Sequence, residues 1–214
     1  MKSSWFVLFL LSLVPIAAQT CSTNAGSSVP DGDVSASATF TAGSGFVTVT
    51  LTNSLADPKS VGQLISGIHF TLASGASAGT LGSSSANVRS VAKGGIFTDF
   101  GPGSTGWALD SGDGNFLLCA LCNDQGAIGP KRLLLGDPNS GTGKYSSANA
   151  SLAGNKPHNP FTNGTAVFFI NAPGVIQGDT VTSATFFFGT SNGASGVAGV
   201  GVASEGKCGG GPRQ

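Results

Sequence analysis

Four cysteines, two histidines and ten acidic residues are the groups to which redox, metal or acid–base chemistry would first be assigned in this 214-residue chain. Cys119-Ala-Leu-Cys122 has the spacing of thiol–disulfide oxidoreductases. In those proteins the first cysteine sits at a helix N-terminus inside a βαβ unit, where the dipole lowers its pKa. No helix-period stretch surrounds this pair, so the spacing predicts a local structural disulfide at a strand end. Zinc would require a second ligand pair, and Cys21 with Cys208, at opposite ends of the chain, do not fit knuckle spacing. Four cysteines allow three pairings. Termini of compact domains often lie close together, which makes a Cys21–Cys208 clasp reasonable. Cys21 also stands where a lipid-modified cysteine would follow a leader, although Ala18-Gln19-Thr20 lacks the small residue wanted immediately before such a cysteine.

Asp110-Ser-Gly-Asp113-Gly-Asn115, with Asp99 upstream, loosely resembles an oxygen-rich calcium loop. It lacks the alternating arrangement and distal Glu of such loops, and Asp-Gly is common hairpin chemistry, so a turn is expected. His69 and His158 have no Ser or Cys nucleophile signature beside them, and Glu205 stands in the Gly-rich end of the chain. No catalytic residue, metal ligand or cofactor is therefore nominated. Trp107 and Tyr145 are the pair that could form an aromatic platform for sugar rings, against the alternative that Trp107 fills the core.

Several elements must hold these groups. Lys2, the apolar run Trp5–Val14, Pro15 and the small residues before Gln19 have the order of a secretory signal peptide, taken as residues 1–19. No later segment reaches the ~18 to 20 apolar residues of a membrane-spanning helix, which predicts a secreted, periplasmic or cell-surface protein. Charged residues are 9% of the chain against a usual ~25%, and the formal charge is zero, so neither nucleic acid nor an anionic membrane is a natural partner. Phe occurs 14 times and Gly 34 times, a composition suited to strands and turns.

Alternation from Ser35 to Asn53, broken at Gly43-Ser44-Gly45, predicts a hairpin with Val47, Val49 and Leu51 on one face and Thr48, Thr50 and Thr52 on the other. A strand near Ser66–Ala73 should point Ile68, Phe70 and Leu72 inward and His69 and Thr71 outward. Residues 74–85, nearly all Gly, Ala, Ser and Thr, read as a long loop. Shorter strands are expected near 87–92, 106–110, 116–121 and 132–135, and 136–160 has no pattern. Ala166–Asn171 and Ser183–Thr190 read as central strands apolar on both faces, covered by sheet on one side and loop on the other. A weak strand precedes the tail. The expected architecture is an all-β antiparallel sandwich, jelly-roll-like, of eight to ten strands over 35–203, with an N-terminal segment 20–34 before it and a flexible tail 204–214 after it.

Thr50-Leu51-Thr52-Asn53, Ala56-Asp57-Pro58, Gly62 to Ile68, Gly106-Trp107-Ala108-Leu109, Tyr145 to Asn149, Asn159-Pro160-Phe161 and Phe186 to Thr190 together resemble exported bacterial proteins of the exosortase-sorted, PEP-CTERM type. The resemblance spans roughly residues 35–190. It implies a surface or extracellular-matrix protein with a β-sandwich body and no catalytic residues to carry over. A sorted member ends in a Pro-Glu-Pro-like motif, an apolar helix and a basic cluster, whereas here the chain ends Lys207-Cys208-Gly-Gly-Gly-Pro-Arg-Gln, so that route of anchoring is not expected. The leading expectation is a secreted, non-enzymatic surface or matrix protein whose partner class is extracellular polysaccharide or matrix. A carbohydrate-binding module and a secreted hydrolase are the alternatives.

Overall fold

The computed structural model describes residues 18–190, 196–201 and 208. Its strands are β1 (Ala18–Thr23), β2 (Ser28–Val29), β3 (Gly32–Asp33), β4 (Ala36–Gly43), β5 (Phe46–Asn53), β6 (Ile65–Leu72), β7 (Thr80–Val91), β8 (Phe97–Gly103), β9 (Ala108–Gly112), β10 (Asn115–Cys119), β11 (Leu134–Leu135), β12 (Phe161–Asn171), β13 (Val181–Phe188) and β14 (Gly196–Gly201). Twelve of them form one mostly antiparallel sheet in the order β8-β7-β12-β5-β4-β1-β14-β13-β6-β10-β9. The two-residue β11 pairs in parallel with β12 and antiparallel with β6. It thereby closes a ring through β12, β5, β4, β1, β14, β13 and β6.

The ring is flattened into two facing layers. Phe40 of β4 meets Phe70 of β6 across the interior at 5.0 Å between ring centroids, although β1, β14 and β13 lie between their strands along the sheet. Phe70 in turn stacks on Phe116 of β10 at 5.2 Å. Strict alternation makes this possible: Ala36, Ala38, Phe40 and Ala42 of β4 and Val47, Val49 and Leu51 of β5 are buried, while the threonines between them face outward. The architecture is all-β and sandwich-like.

Three expectations are corrected and one strand is added. The stretch 74–85 is not wholly a loop, because β7 begins at Thr80 and pairs with β12 and β8. Its side chains offer little apolar surface, yet strand pairing runs through the backbone, and their small size has a use. A Cβ on Gly82 would lie 3.1 Å from the Phe169 ring, so glycine lets that ring lie across β7. The strand β8 is absent from the sequence reading because Gly101, Pro102 and Gly103 look like turn chemistry; on the outermost strand of a sheet proline is tolerated, since no partner needs its N–H.

The segment 20–34 is not a lead-in. β1 lies between β4 and β14, and Cys21 and Val34 belong to the core. The phenylalanine-rich strands are apolar on both faces but covered on only one. Phe168 and Ile170 are fully buried, whereas Val167 is 41% and Phe169 36% exposed, and Phe187 is half-buried between buried Phe186 and Phe188. The leader expected over residues 1–19 lies outside the described residues except for Ala18 and Gln19, and the tail expected over 204–214 lies outside them except for Cys208.

The pattern-free stretch 136–160 is held by polar contacts and two buried side chains, Tyr145 and Leu152. The Asp57 carboxylate, from the facing loop, accepts from the Ser146 hydroxyl at 2.6 Å, from both the amide and hydroxyl of Ser147, and from Asn139 Nδ2. Asn159, whose peptide bond to Pro160 is cis, accepts from the Val91 amide at 2.7 Å and donates to Asn155 O at 2.9 Å.

Candidate ligand-binding site

Both cysteine pairings of the sequence reading are present. Cys21 bonds Cys208, 187 positions later in sequence and with Cα atoms 5.8 Å apart, and Cys119 bonds Cys122 at 5.6 Å. Among the described residues no cysteine is free. Cys21 is fully buried on the inner face of β1, and its sulfur is engaged with Cys208, which leaves none for a lipid. The Cys119–Cys122 bond closes the loop that leaves β10 at the sheet's outer face.

Trp107 and Tyr145 do not form a platform. Trp107 is 5% and Tyr145 1% exposed, and a buried ring cannot offer its face to a sugar. The Trp107 ring packs on Phe168 at 5.3 Å, and its Nε1 donates to Arg132 O at 2.8 Å. The Tyr145 hydroxyl donates to Gly136 O at 2.8 Å and receives Arg89 Nη1 at 3.0 Å. Arg89 lies over the Phe97 ring at 3.8 Å and grips Asp99 with Nε and Nη2. Burial pushes the Tyr145 phenol up to about 12 despite the nearby guanidinium, so it stays a neutral hydroxyl.

A concave, mixed polar and apolar surface lies elsewhere, on the outer face of β13, β6, β10 and β9. The registers align Phe187, Gly67, Cys119 and Ala108 in one row across these four strands, and Thr185, His69, Leu117 and Asp110 in the next. A hollow of about 330 Å³ opens here, lined by Ser66, Gly67, Asp110, Leu117, Asp124 and Phe187 with the Cys119–Cys122 disulfide. Gly67 is its floor. A Cβ there would stand 3.6 Å from the Phe187 ring, 3.5 Å from Cys119 Cβ and 3.0 Å from Leu118 O, filling the gap between ring and disulfide.

No protein-family model matches this chain, and searches of curated proteins and of solved structures return no match. The hollow is therefore judged on its own chemistry.

Asp110-Ser-Gly-Asp-Gly-Asn, weighed as calcium loop against turn, is a turn. Gly112 pairs with Asn115, and Asp113 (φ 50°) and Gly114 (φ 85°) occupy the two positive-φ positions of a tight hairpin connection. Asp110 leaves that turn for the hollow, and Asp99 is occupied by Arg89. Among the described residues no group of three or more His, Cys, Asp or Glu side chains is placed to hold a metal ion. His69 lies on the outer face beside Leu117 and Thr185, while the His158 Nδ1 is 3.3 Å from the Ser151 carbonyl in the loop region. The two histidines thus serve different elements. Among the described residues no helix is long and apolar enough to cross a membrane.

Sequence reading did not single out Gly67 and Phe187, which line this hollow. Phe186-Phe187-Phe188 reads as a uniformly apolar run, and only period-2 alternation, with the first and third rings inward, places the middle one outside. It also missed Gln63, whose signal was available: Ser60-x-x-Gln63 is a capping-box pattern. The Gln63 Oε1 accepts from the amides of Lys59 and Ser60 while its Nε2 reaches Asp33 O at 2.8 Å.

Proposed function

We propose that this chain is an exported, non-enzymatic β-sandwich protein of the cell surface or extracellular matrix, of the kind its PEP-CTERM-like segments suggest. The supporting observation is the Cys21–Cys208 disulfide, which joins the first strand of the domain to a residue 187 positions later. Such a bond persists in oxidising compartments and is rare where glutathione keeps thiols reduced. It suits a protein that must stay folded outside the cell, because the cross-link removes much of the unfolded chain's entropy. The low charge and the outward rows of Thr and Ser on β4 and β5 fit a role in which the surface meets neutral, hydroxyl-rich material rather than polyanions.

Fractionation of the producing cells, followed by intact mass with and without reductant, tests this reading. The expected result is protein outside the cytoplasmic membrane that gains four hydrogens on reduction, two for each disulfide. Cytoplasmic protein with four thiols, or a lipid mass on Cys21, overturns it.

A further inference from the structure

We infer that the hollow between Phe187 and the Cys119–Cys122 disulfide is a binding site for a neutral pyranose unit of an extracellular glycan. Its volume of about 330 Å³ lies at the small end of ligand pockets, which run from ~300 to 1,000 Å³. Its walls are of two kinds. Phe187, Leu117 and the disulfide are apolar, while Asp110, Asp124 and Ser66 supply oxygens.

A pyranose carries the complementary surfaces: a C–H face that packs on an aromatic ring, and a rim of hydroxyl donors. Carboxylates accept such hydroxyls in charge-assisted hydrogen bonds, the stronger kind. Among the residues lining the hollow both charged groups are negative, so a uronate, sulfated or phosphorylated sugar is repelled and a neutral one is not.

Three features show how the fold makes the site. Gly67 stands where the two sheet neighbours of β6 present Phe187 and Cys119, and its missing side chain is the space itself. The disulfide holds the loop after β10 against the sheet, with the amides of Gln125 and Ala127 both returning to Cys122 O, and this brings Asp124 into the lining of the hollow. The row that brings Leu117 and Asp110 to the hollow continues past it to His69 and Thr185, polar groups that a second sugar residue would meet and that a lone organic cation would not need. That row favours a glycan over a quaternary amine, for which an aromatic ring and carboxylates would otherwise also serve.

The inference rests on the exported reading only for where a glycan is met. The test uses purified, disulfide-bonded protein, so its failure leaves the matrix reading standing, and failure of the fractionation leaves the site standing. Amide resonances are followed while cello-, xylo-, manno-, laminari- and chito-oligosaccharides are added in turn, with polygalacturonate and tetramethylammonium as the anionic and cationic probes. The expected result is saturable shifts at Gly67, Cys119 and Phe187 with at least one neutral oligosaccharide. Phe187→Ala should weaken that binding about tenfold, the scale of one aromatic contact. Asp110→Asn with Asp124→Asn, which keeps side-chain shape and leaves the core untouched, should weaken it while the circular dichroism spectrum stays unchanged. Shifts with no neutral oligosaccharide, shifts centred away from β6 and β13, binding unaltered by both variants, or binding of only the charged probes each overturn the proposal.

Discussion

Arg89 and Asp99 face each other across the β7–β8 pair as a two-pronged ion pair, Nε to Oδ1 at 2.6 Å and Nη2 to Oδ2 at 2.8 Å, and the remaining guanidinium nitrogen holds the Tyr145 hydroxyl at 3.0 Å. One cationic group thereby joins the outermost strand β8 to the pattern-free stretch 136–160. Arg89 is buried and Asp99 half-exposed, so removing the acid leaves a costlier orphan than removing both. Asp99→Ala should destabilise the protein more than Arg89→Met with Asp99→Ala, measured as shifts in urea midpoint; equal losses would mean that the guanidinium finds water when unpaired.

Tyr145 is the single tyrosine in the chain, so tyrosinate absorbance reports on it alone. Its pKa is raised from 10.0 to about 12 by burial. Folding favours the neutral phenol, so this contribution to stability is complete below pH 10 and is lost as pH rises toward 12. Alkaline titration should show ionisation near 12 in the native protein and near 10 in urea; a native midpoint at 10 would place the ring in solvent.

On the acid side the sign reverses. The Arg89 hydrogen bond holds Asp99 below its ordinary value of 3.8. Burial alone would push Asp57 up, but the hydrogen bonds from Ser146, Ser147 and Asn139 outweigh it and hold that carboxyl low as well. Both contribute stability that is present above pH 3.8 and is lost as pH falls below it. Asp57→Asn should flatten the decline of urea midpoint with acidification, and a decline as steep as in the unaltered protein would show that Asp57 is not the sensor.

The two disulfides close loops of very different length. In the chain-entropy account the clasp across 187 positions is worth about 5 kcal/mol and the three-position Cys119–Cys122 bond about 2. Cys21→Ala with Cys208→Ala should therefore lower denaturant stability well beyond Cys119→Ala with Cys122→Ala. Comparable losses would point to native-state packing rather than chain entropy as the source.

Gln19 holds the Val181 backbone from both sides, donating Nε2 to its carbonyl at 2.9 Å and accepting its amide on Oε1 at 2.6 Å. Processing that removed Gln19 would cut this tie between β1 and β13. In place of the leader expected over residues 1–19, this tie predicts cleavage before Gln19, so that the mature chain retains it, read from its intact mass, and Gln19→Ala should cost about 1 to 2 kcal/mol. A mature chain beginning at Thr20 would contradict this.

Phe186 and Phe187 are adjacent in sequence and opposite in fate. Phe186→Ala should cost about 3 to 5 kcal/mol by opening a core cavity. Phe187→Ala, on the outer face, should cost about 1 kcal/mol or less. Thermal unfolding of the two variants decides it, and similar losses would mean that Phe187 is packed.

The hairpin of β4 and β5 was legible because its alternation is local: every second residue is apolar from Ala36 to Ala42 and again from Val47 to Leu51, and a strand has that period whatever it packs against. β7 was not, because Thr80 to Ser85 carry almost no apolar signal and become a strand by bonding to the backbones of β12 and β8, which are distant in sequence. Trp107 and Tyr145 misled for a related reason. Aromatic residues suit both a sugar platform and a core, and the choice between them depends on neighbours such as Phe168 and Phe97 that no local pattern names.

By itself the sequence determined composition, charge balance, the all-β class and the periodicity of its strongest strands, since these follow from residue type and local backbone preference. The tertiary structure decided which cysteines meet, how two-residue β11 closes the ring of strands, and that Gly67, Phe187, Asp110 and Asp124, drawn from four separated segments, line one hollow. Those outcomes depend on strand register across the sheet. Register is set jointly by all the buried side chains and turns, and no single stretch of the chain carries it.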